Sequence, residues 1–185
     1  MAYKESNMIP LGSKAPNFRL LDTISDKWLS LNDIKGAKAT VVMFICNHCP
    51  YVIHVNSELV KLAKDYLPQE VGFVAISSND AVNYPDDSPE KMKLKAKEEA
   101  YPFPYLYDES QQVAKDYDAA CTPDLYIFDA DLCLAYRGRL DDSRPNSGKE
   151  LTGKDMRDAL DKILQGKPVE TTQFPSAGCN IKWKK

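Results

Sequence analysis

Thr40-Val-Val-Met-Phe-Ile45 runs directly into Cys46-Asn-His-Cys-Pro50. The first stretch is apolar on both alternating faces, as a central parallel strand is when layers cover it on both sides. Beyond Pro50, apolar residues fall at Val52, Val55, Leu59, Leu62 and Tyr66. Those steps of three and four mark an amphipathic helix. Val71-Gly-Phe-Val-Ala-Ile76 is the next β-rich run. Strand, helix and strand in that order predict a right-handed βαβ unit.

Working outward toward the N-terminus, Phe18 and Leu20 alternate with polar neighbours, and Trp28-Leu-Ser-Leu31 follows. The two runs predict a β-hairpin, although the turn from Thr23 to Lys27 lacks glycine. Toward the C-terminus comes a polar loop, Ser77 to Asp87, then Ser88-Pro89 as cap and first-turn proline of a charged helix to about Ala100. Tyr105-Leu-Tyr107 reads as a short strand, and Asp108 with Gln111 as a capping box for a helix through Tyr117. Leu125–Phe128 and Leu132–Tyr136 flank Asp129-Ala-Asp131 as an antiparallel hairpin. The last helix is capped by Thr152, with Asp155 three residues on and Leu151 and Met156 as a staple, and Gly166 stops it before Pro168. The tail from Val169 to Lys185 shows no period.

The 185 residues favour one domain, 1–185, with an N-terminal extension to about residue 38 and a tail from about 169. A chain of this length buries about 70 % of its unfolded surface and needs no disulfide scaffold. Twenty-four basic against 27 acidic residues leave a net charge of −3, which argues against a nucleic-acid partner. The longest apolar run, Ala39 to Cys46, is far short of the ~20 residues of a membrane span. The stretch Met1 to Asn7 has no apolar core of a signal peptide, so a cytoplasmic, membrane-free protein is expected. Five cysteines (Cys46, Cys49, Cys121, Cys133, Cys179) are an odd number for a disulfide framework. Some should be redox-active or metal-bound.

Two thiols three residues apart at a helix start can close a small disulfide ring. The spacing suggests one sulfur facing solvent to attack and one to resolve the mixed disulfide. The attacking species is the thiolate, so the acidity of Cys46 has to be raised. A helix terminus contributes only ~0.3–1 kcal/mol. Amides of the first turn, the Cys49 thiol and His48 (with Asn47 between the cysteines) are the expected tuning groups. Two other readings compete. The pair is half of a zinc site completed by His48 or His54 and Cys121, or two inert thiols on a helix. His54 lies within the helix and reads as a surface or satisfied histidine. Cys121-Thr122-Pro123-Asp124 precedes a strand, and its proline marks an edge, a strand start or a cis bond. Cys121 itself reads either as an additional redox thiol or as a small buried hydrophobe. Cys133 reads as packing on a hairpin strand, and Cys179 as a third redox thiol only if the tail folds back.

The order β-β, β-α-β, α, (α)-β-β-α, with CxxC-Pro after a strand and Thr-Pro before a late hairpin, resembles the thioredoxin fold. Gly12-x-x-Ala15-Pro16-x-Phe18-x-Leu20 and Ser30-Leu31 resemble the alkyl hydroperoxide reductase C/thiol-specific antioxidant branch. Within it, Phe44-Ile-Cys-Asn-His-Cys-Pro-Tyr51, Ser78-Asn-Asp80, Tyr84-Pro-Asp-Asp87, Cys121-Thr-Pro-Asp124, Tyr136-Arg-Gly-Arg139 and Gly178-Cys-Asn-Ile-Lys-Trp183 are similar to the peroxiredoxin-like thioredoxin-family group. The resemblance spans nearly the whole chain. It implies an α/β thioredoxin-like domain in which Cys46 is the nucleophile, Cys49 the resolving thiol, and Thr122-Pro123 the wall along which a substrate backbone lies. It implies disulfide exchange without metal or organic cofactor, on protein or small-molecule disulfides, with a thiol electron donor. A peroxide-reducing antioxidant role is the alternative, and a non-catalytic zinc-binding or interaction module a remoter one.

The chain departs from that pattern in three places. Peroxiredoxins carry Pro-x-x-x-Thr-x-x-Cys; counting back from Cys46 meets Met43 and Ala39, and from Cys49 meets Cys46 and Val42. Where they carry an arginine, this chain has Ala119-Ala-Cys121. Many thioredoxins also bury a carboxylate in the strand before CxxC, and Thr40 to Ile45 holds none. Asn79 and Asp80 are candidates to reach the site, against the reading of a solvated loop.

Overall fold

A computed structural model describes residues 3–185. Met1 and Ala2, the start of the stretch read for a signal peptide, lie outside the described residues. In chain order the elements are β1 (Tyr3–Glu5), β2 (Arg19–Asp22), β3 (Trp28–Ser30), α1 (Leu31–Ile34), β4 (Ala39–Phe44), α2 (Pro50–Tyr66) and β5 (Val71–Ser77). They continue with α3 (Pro89–Glu98), β6 (Tyr105–Tyr107), α4 (Gln112–Asp116), β7 (Cys121–Thr122), β8 (Asp124–Asp129), β9 (Leu134–Arg137), α5 (Lys154–Leu164) and β10 (Ala177–Asn180). Seven strands form the main sheet in the order β3-β2-β6-β5-β4-β8-β9. β4, β5 and β6 run parallel, and the outer pairs are antiparallel. This is the α/β arrangement of a thioredoxin-like domain.

β4 is buried along its whole length, and its alternating side chains feed two different cores. Val41, Met43 and Ile45 join Leu59, Leu62 and Tyr66 of α2 and Leu160 of α5. Val42 and Phe44 join Phe18, Leu20, Tyr117, Tyr126 and Phe128 on the other face. The expected hairpin is β2–β3. Its turn manages without glycine because the Asp22 carboxylate accepts the Ile24 and Ser25 amides (3.3 and 3.1 Å), while Asp26 takes φ 59°, a conformation Asp tolerates.

Two helix starts differ from the sequence reading for one reason: their polar residues have distant partners. Asp108 and Gln111 make no capping box. The Asp108 carboxylate accepts the Ser78 hydroxyl (2.8 Å) and the Ala114 amide (3.0 Å), and Gln111 donates to the carbonyls of Ser78 and Lys182. That leaves only the short helix α4. At α5, the Asp141 carboxylate takes the Thr152 and Gly153 amides, each at 2.7 Å, and Asp155 pairs with Arg139 at 2.6 Å. The helix therefore begins after Gly153 rather than after Thr152. Gly166 ends it at φ 65° as read.

The aperiodic tail is not loose chain. β10 is the centre of a second sheet, β1-β10-β7. It pairs antiparallel with both neighbours, setting Cys179 opposite Thr122 and Asn180 opposite Cys121. Gly178 permits the approach: a Cβ there would stand 2.0 Å from the Thr122 carbonyl oxygen. On the other side of the late hairpin, fully buried Arg137 pairs with fully buried Asp124 at 3.1 Å, donates to the Asp118 carbonyl at 2.7 Å and lies 4.5 Å over the Tyr126 ring. Among the described residues, no helix is long and apolar enough to cross a membrane.

Candidate active site

The strand–helix junction places Cys46 just beyond β4 and makes Cys49 the residue that caps α2, with Pro50 in the first turn. Both are reduced and buried, Cys46 at 2 % exposure and Cys49 at 0 %. The expectation that Cys46 faces solvent is corrected, because the cis-proline loop and the 85–87 turn close over it. The Thr122–Pro123 bond is cis. Thr122 touches both sulfurs: its hydroxyl lies 3.4 Å from Cys46 Sγ, and its carbonyl lies 3.2 Å from Cys49 Sγ. Its backbone edge is not open, however. β10 occupies the place where an extended substrate was expected.

The acidity of the pair also differs from the sequence reading. Cys46 is pushed well above the ordinary thiol value, first by holding its proton toward Cys49, then by burial and the Asp87 charge. Cys49 is brought down to about 4, chiefly by the Cys46 hydrogen bond and further by donors from Cys179 and the Val52 amide, against the pull of burial. The reason is positional. The Val52 amide of the first helical turn acts on Cys49, and Cys46 three residues earlier lies beyond it. One proton is thus shared between two sulfurs, with the charge resting on Cys49. The reduced protein is expected to show one thiolate equivalent by ultraviolet absorbance as pH rises through about 4. Cys46→Ala, lacking the donor, should move that inflection upward, and an unchanged inflection would contradict the shared proton.

Asn47 and His48 act on the loop rather than on the sulfur. The Asn47 amide donates to Asp87 at 2.8 Å, its side chain donates to the Asp86 carbonyl, and its side-chain oxygen accepts from Tyr105. His48 Nδ1 lies 2.7 Å from Asp87 Oδ2, out of line for a hydrogen bond, and its ring stacks parallel to Tyr84. Asp87 is a fully buried carboxylate beside the pair, and Asn79 donates to its Oδ2 at 2.8 Å. The 77–87 loop is therefore no solvated loop at its ends. Asn79 reaches the site through Asp87, whereas Asp80 turns away to Asn83 and the Val82 amide.

The zinc site imagined from the sequence is not assembled. His54 meets Ser143 at 2.9 Å, and Cys121 turns its sulfur to the Pro123 carbonyl. Burial, then the Asp124 charge, pushes the Cys121 thiol up. A different set of donors does converge: Cys46, His48 and Asp87 present one atom each within 4.8 Å of one another. Cys133 sits partly exposed in the late hairpin, away from these groups. One residue at the site escaped the sequence reading of it: Asp87 was visible only as part of Tyr84-Pro-Asp-Asp87. The tail does fold back, which was the condition for Cys179 to join the pair. The third sulfur lies 2.8 Å from Cys49.

A buried cysteine pair at a strand–helix junction, roofed by a cis-proline loop on a sheet of this order, defines a thioredoxin-fold thiol protein. The chain belongs to the AhpC/TSA family, whose model matches residues 11–137. It is similar to the crystal structure of an uncharacterized conserved protein from Geobacillus kaustophilus at 62 % identity, covering 100 % of this chain and 97 % of that one, with a TM-score of 0.98. A hypothetical protein from Sinorhizobium meliloti 1021 is 47 % identical over 97 % of this chain and 98 % of that one, with a TM-score of 0.95. The thioredoxin domain of a thiol-disulfide oxidoreductase from Bacteroides vulgatus shares the fold at 19 % identity and a TM-score of 0.66, over 85 % of this chain and 99 % of that one. No curated protein matches. The family and the site together support a redox thiol function.

Proposed function

We propose that this protein is a thiol–disulfide oxidoreductase working through a mixed disulfide at Cys46. The observation that carries the reading is the buried, reduced Cys46–Cys49 pair at the strand–helix junction, with Thr122 meeting both sulfurs. When a substrate disulfide approaches, the Cys46 proton passes to Cys49, and Cys46 attacks as the thiolate. Loss of the Cys49 proton, for which Asp87 beside Cys46 is the proposed acceptor, lets Cys49 attack the mixed disulfide. Reduced substrate leaves, and a Cys46–Cys49 disulfide remains for a thiol donor to reduce. Protein or small-molecule disulfides in a reducing, cytoplasmic setting are the proposed partners. Because β10 fills the Thr122 edge, access is from the Asn47–His48 side, where a shallow depression is also lined by Asp86, Lys91 and Lys95.

Two observations favour a second, peroxidatic reading: the family and the Thr122 hydroxyl beside Cys46. Against it, Arg137 is bound to Asp124 and packed over Tyr126 in the other core, so it is not available to polarise a peroxide. The converging Cys46, His48 and Asp87 donors keep a zinc-binding module as a third reading. A Cys49→Ser protein tests the proposal. It should accumulate substrates on Cys46 as mixed disulfides that a reductant releases. If it captures none, and the reduced wild-type protein binds zinc one to one, the metal-binding reading takes its place.

A further inference from the structure

β10 brings a third sulfur to the cysteine pair. Cys179 Sγ lies 2.8 Å from Cys49 Sγ, in hydrogen-bond contact with it. Cys179 and Cys49 are both buried. The strand is fixed in this place from both ends. Before it, the Ser176 amide donates to Ser6 Oγ (3.0 Å) and the Ser176 hydroxyl to the Pro123 carbonyl (2.6 Å). Beyond it, the Lys182 amide donates to Asn79 Oδ1 (2.8 Å), and its carbonyl accepts the Asp80 amide (2.8 Å). In between, Gly178 allows contact with the Thr122 carbonyl that no other residue would allow. The register that follows sets Cys179 opposite Thr122, the residue that already meets both cysteines of the pair.

We propose that Cys179 is a third redox thiol, which exchanges with Cys49 and draws the disulfide inward from Cys46–Cys49 to Cys49–Cys179. The inference rests on the thiol–disulfide reading above. In the step, the Cys179 sulfur attacks Cys49 Sγ. The Cys49–Cys179 bond forms as the Cys46–Cys49 bond breaks, and the electron pair leaves with Cys46. The proton lost from Cys179 ends on the Cys46 sulfur. One disulfide and one thiol stand on each side, so no outside oxidant enters the step. In the reduced protein the Cys179 thiol is pushed up to about 12 by burial, then by its hydrogen bond to Cys49 and the Cys49 charge. A Cys49 sulfur already in a disulfide carries no charge, so that restraint falls away once the pair is oxidised. The product leaves Cys46 reduced again and ties the tail covalently across the Thr122 edge.

Disulfide mapping tests this directly. The reduced wild-type protein is oxidised with diamide, a two-electron oxidant of dithiols, quenched in acid, alkylated and digested. Peptides linking Cys49 to Cys179 are expected beside those linking Cys46 to Cys49, whereas Cys179→Ser should yield only the latter. In Cys46→Ser, four of the five cysteines remain, and oxidation should consume two of them as Cys49–Cys179. A wild-type map without the Cys49–Cys179 peptide overturns the inference, whatever the Cys46→Ser protein does. That outcome leaves the thiol–disulfide reading intact if Cys46–Cys49 is found. A Cys179→Ser protein that neither forms Cys46–Cys49 nor reduces insulin would sink the reading and the inference together.

Discussion

Cys46→Ser is expected to reduce disulfide exchange to the assay floor, a loss of at least ~10³-fold, as when any nucleophile of a covalent mechanism is removed. A serine oxygen forms no mixed disulfide, so the sulfur that attacks substrate is gone. The Thr122 and Cys179 contacts at Cys49 do not depend on the Cys46 side chain, so the loss should come without unfolding. Insulin reduction with dithiothreitol as donor, alongside a thermal melt, checks both points. Asp87→Asn should behave differently. It keeps both cysteines and the disulfide they form, and removes the acceptor for their proton, so exchange should slow by ~10²-fold or more. A Cys46→Ser protein with appreciable exchange would mean that another sulfur attacks.

The largest effect on stability is expected from Arg137→Ala. Arg137 and Asp124 are both fully buried and paired at 3.1 Å, and removing one partner of such a pair costs about 3–5 kcal/mol. Burial already raises the Asp124 carboxyl, with the Arg137 charge acting against it; without the guanidinium that carboxylate is stranded. The guanidinium also covers the Tyr126 face and binds the Asp118 carbonyl. For a chain of this size each kcal/mol moves the melting point by roughly 2–4 °C, so a fall of ~6–20 °C is expected in a calorimetric scan. The double variant Arg137→Met, Asp124→Leu should recover much of it, since apolar replacement of both partners removes the stranded charge. A fall of only a degree or two in Arg137→Ala would mean that the pair contributes little.

The parts of the fold that the sequence made legible are those with a period. β4 and α2 carry theirs in Thr40–Ile45 and Val52–Tyr66, and Gly166 and Ser88-Pro89 punctuate helices with local chemistry. Legibility failed where a polar residue found its partner far along the chain. Asp108 and Gln111 have the look of a local capping box, yet they bind Ser78 and Lys182, and the Thr152 cap gives way to Asp141, which takes the 152–153 amides. The site divides the same way. Cys46, Cys49, Thr122 and Pro123 announce themselves by spacing and position, and the structure brings them together. Asp87 lies 41 residues beyond Cys46 in a turn, and Cys179 lies 130 residues from Cys49, in a four-residue strand with no alternation to read. The same tail strand explains why the Thr122 edge, expected to receive substrate, is filled. The proton distribution was illegible too, because it depends on which of two sulfurs the Val52 amide reaches.

The central claim is that this pair exchanges disulfides and does not reduce peroxides. It is tested most directly by single-turnover oxidation of the reduced protein, mixed in one experiment with hydrogen peroxide and in another with a small disulfide at the same concentration. Each preorganised donor contributes about 10²–10³ to a rate. Thr122 supplies a hydroxyl beside Cys46, but no guanidinium joins it, since Arg137 is held by Asp124. Disulfide exchange needs neither group, only the proton shift between Cys46 and Cys49. Oxidation by the disulfide should therefore be the faster by at least one such factor, about 10²-fold. Peroxide oxidising the pair as fast as the disulfide, or faster, would contradict the account and make the peroxidatic reading the better one.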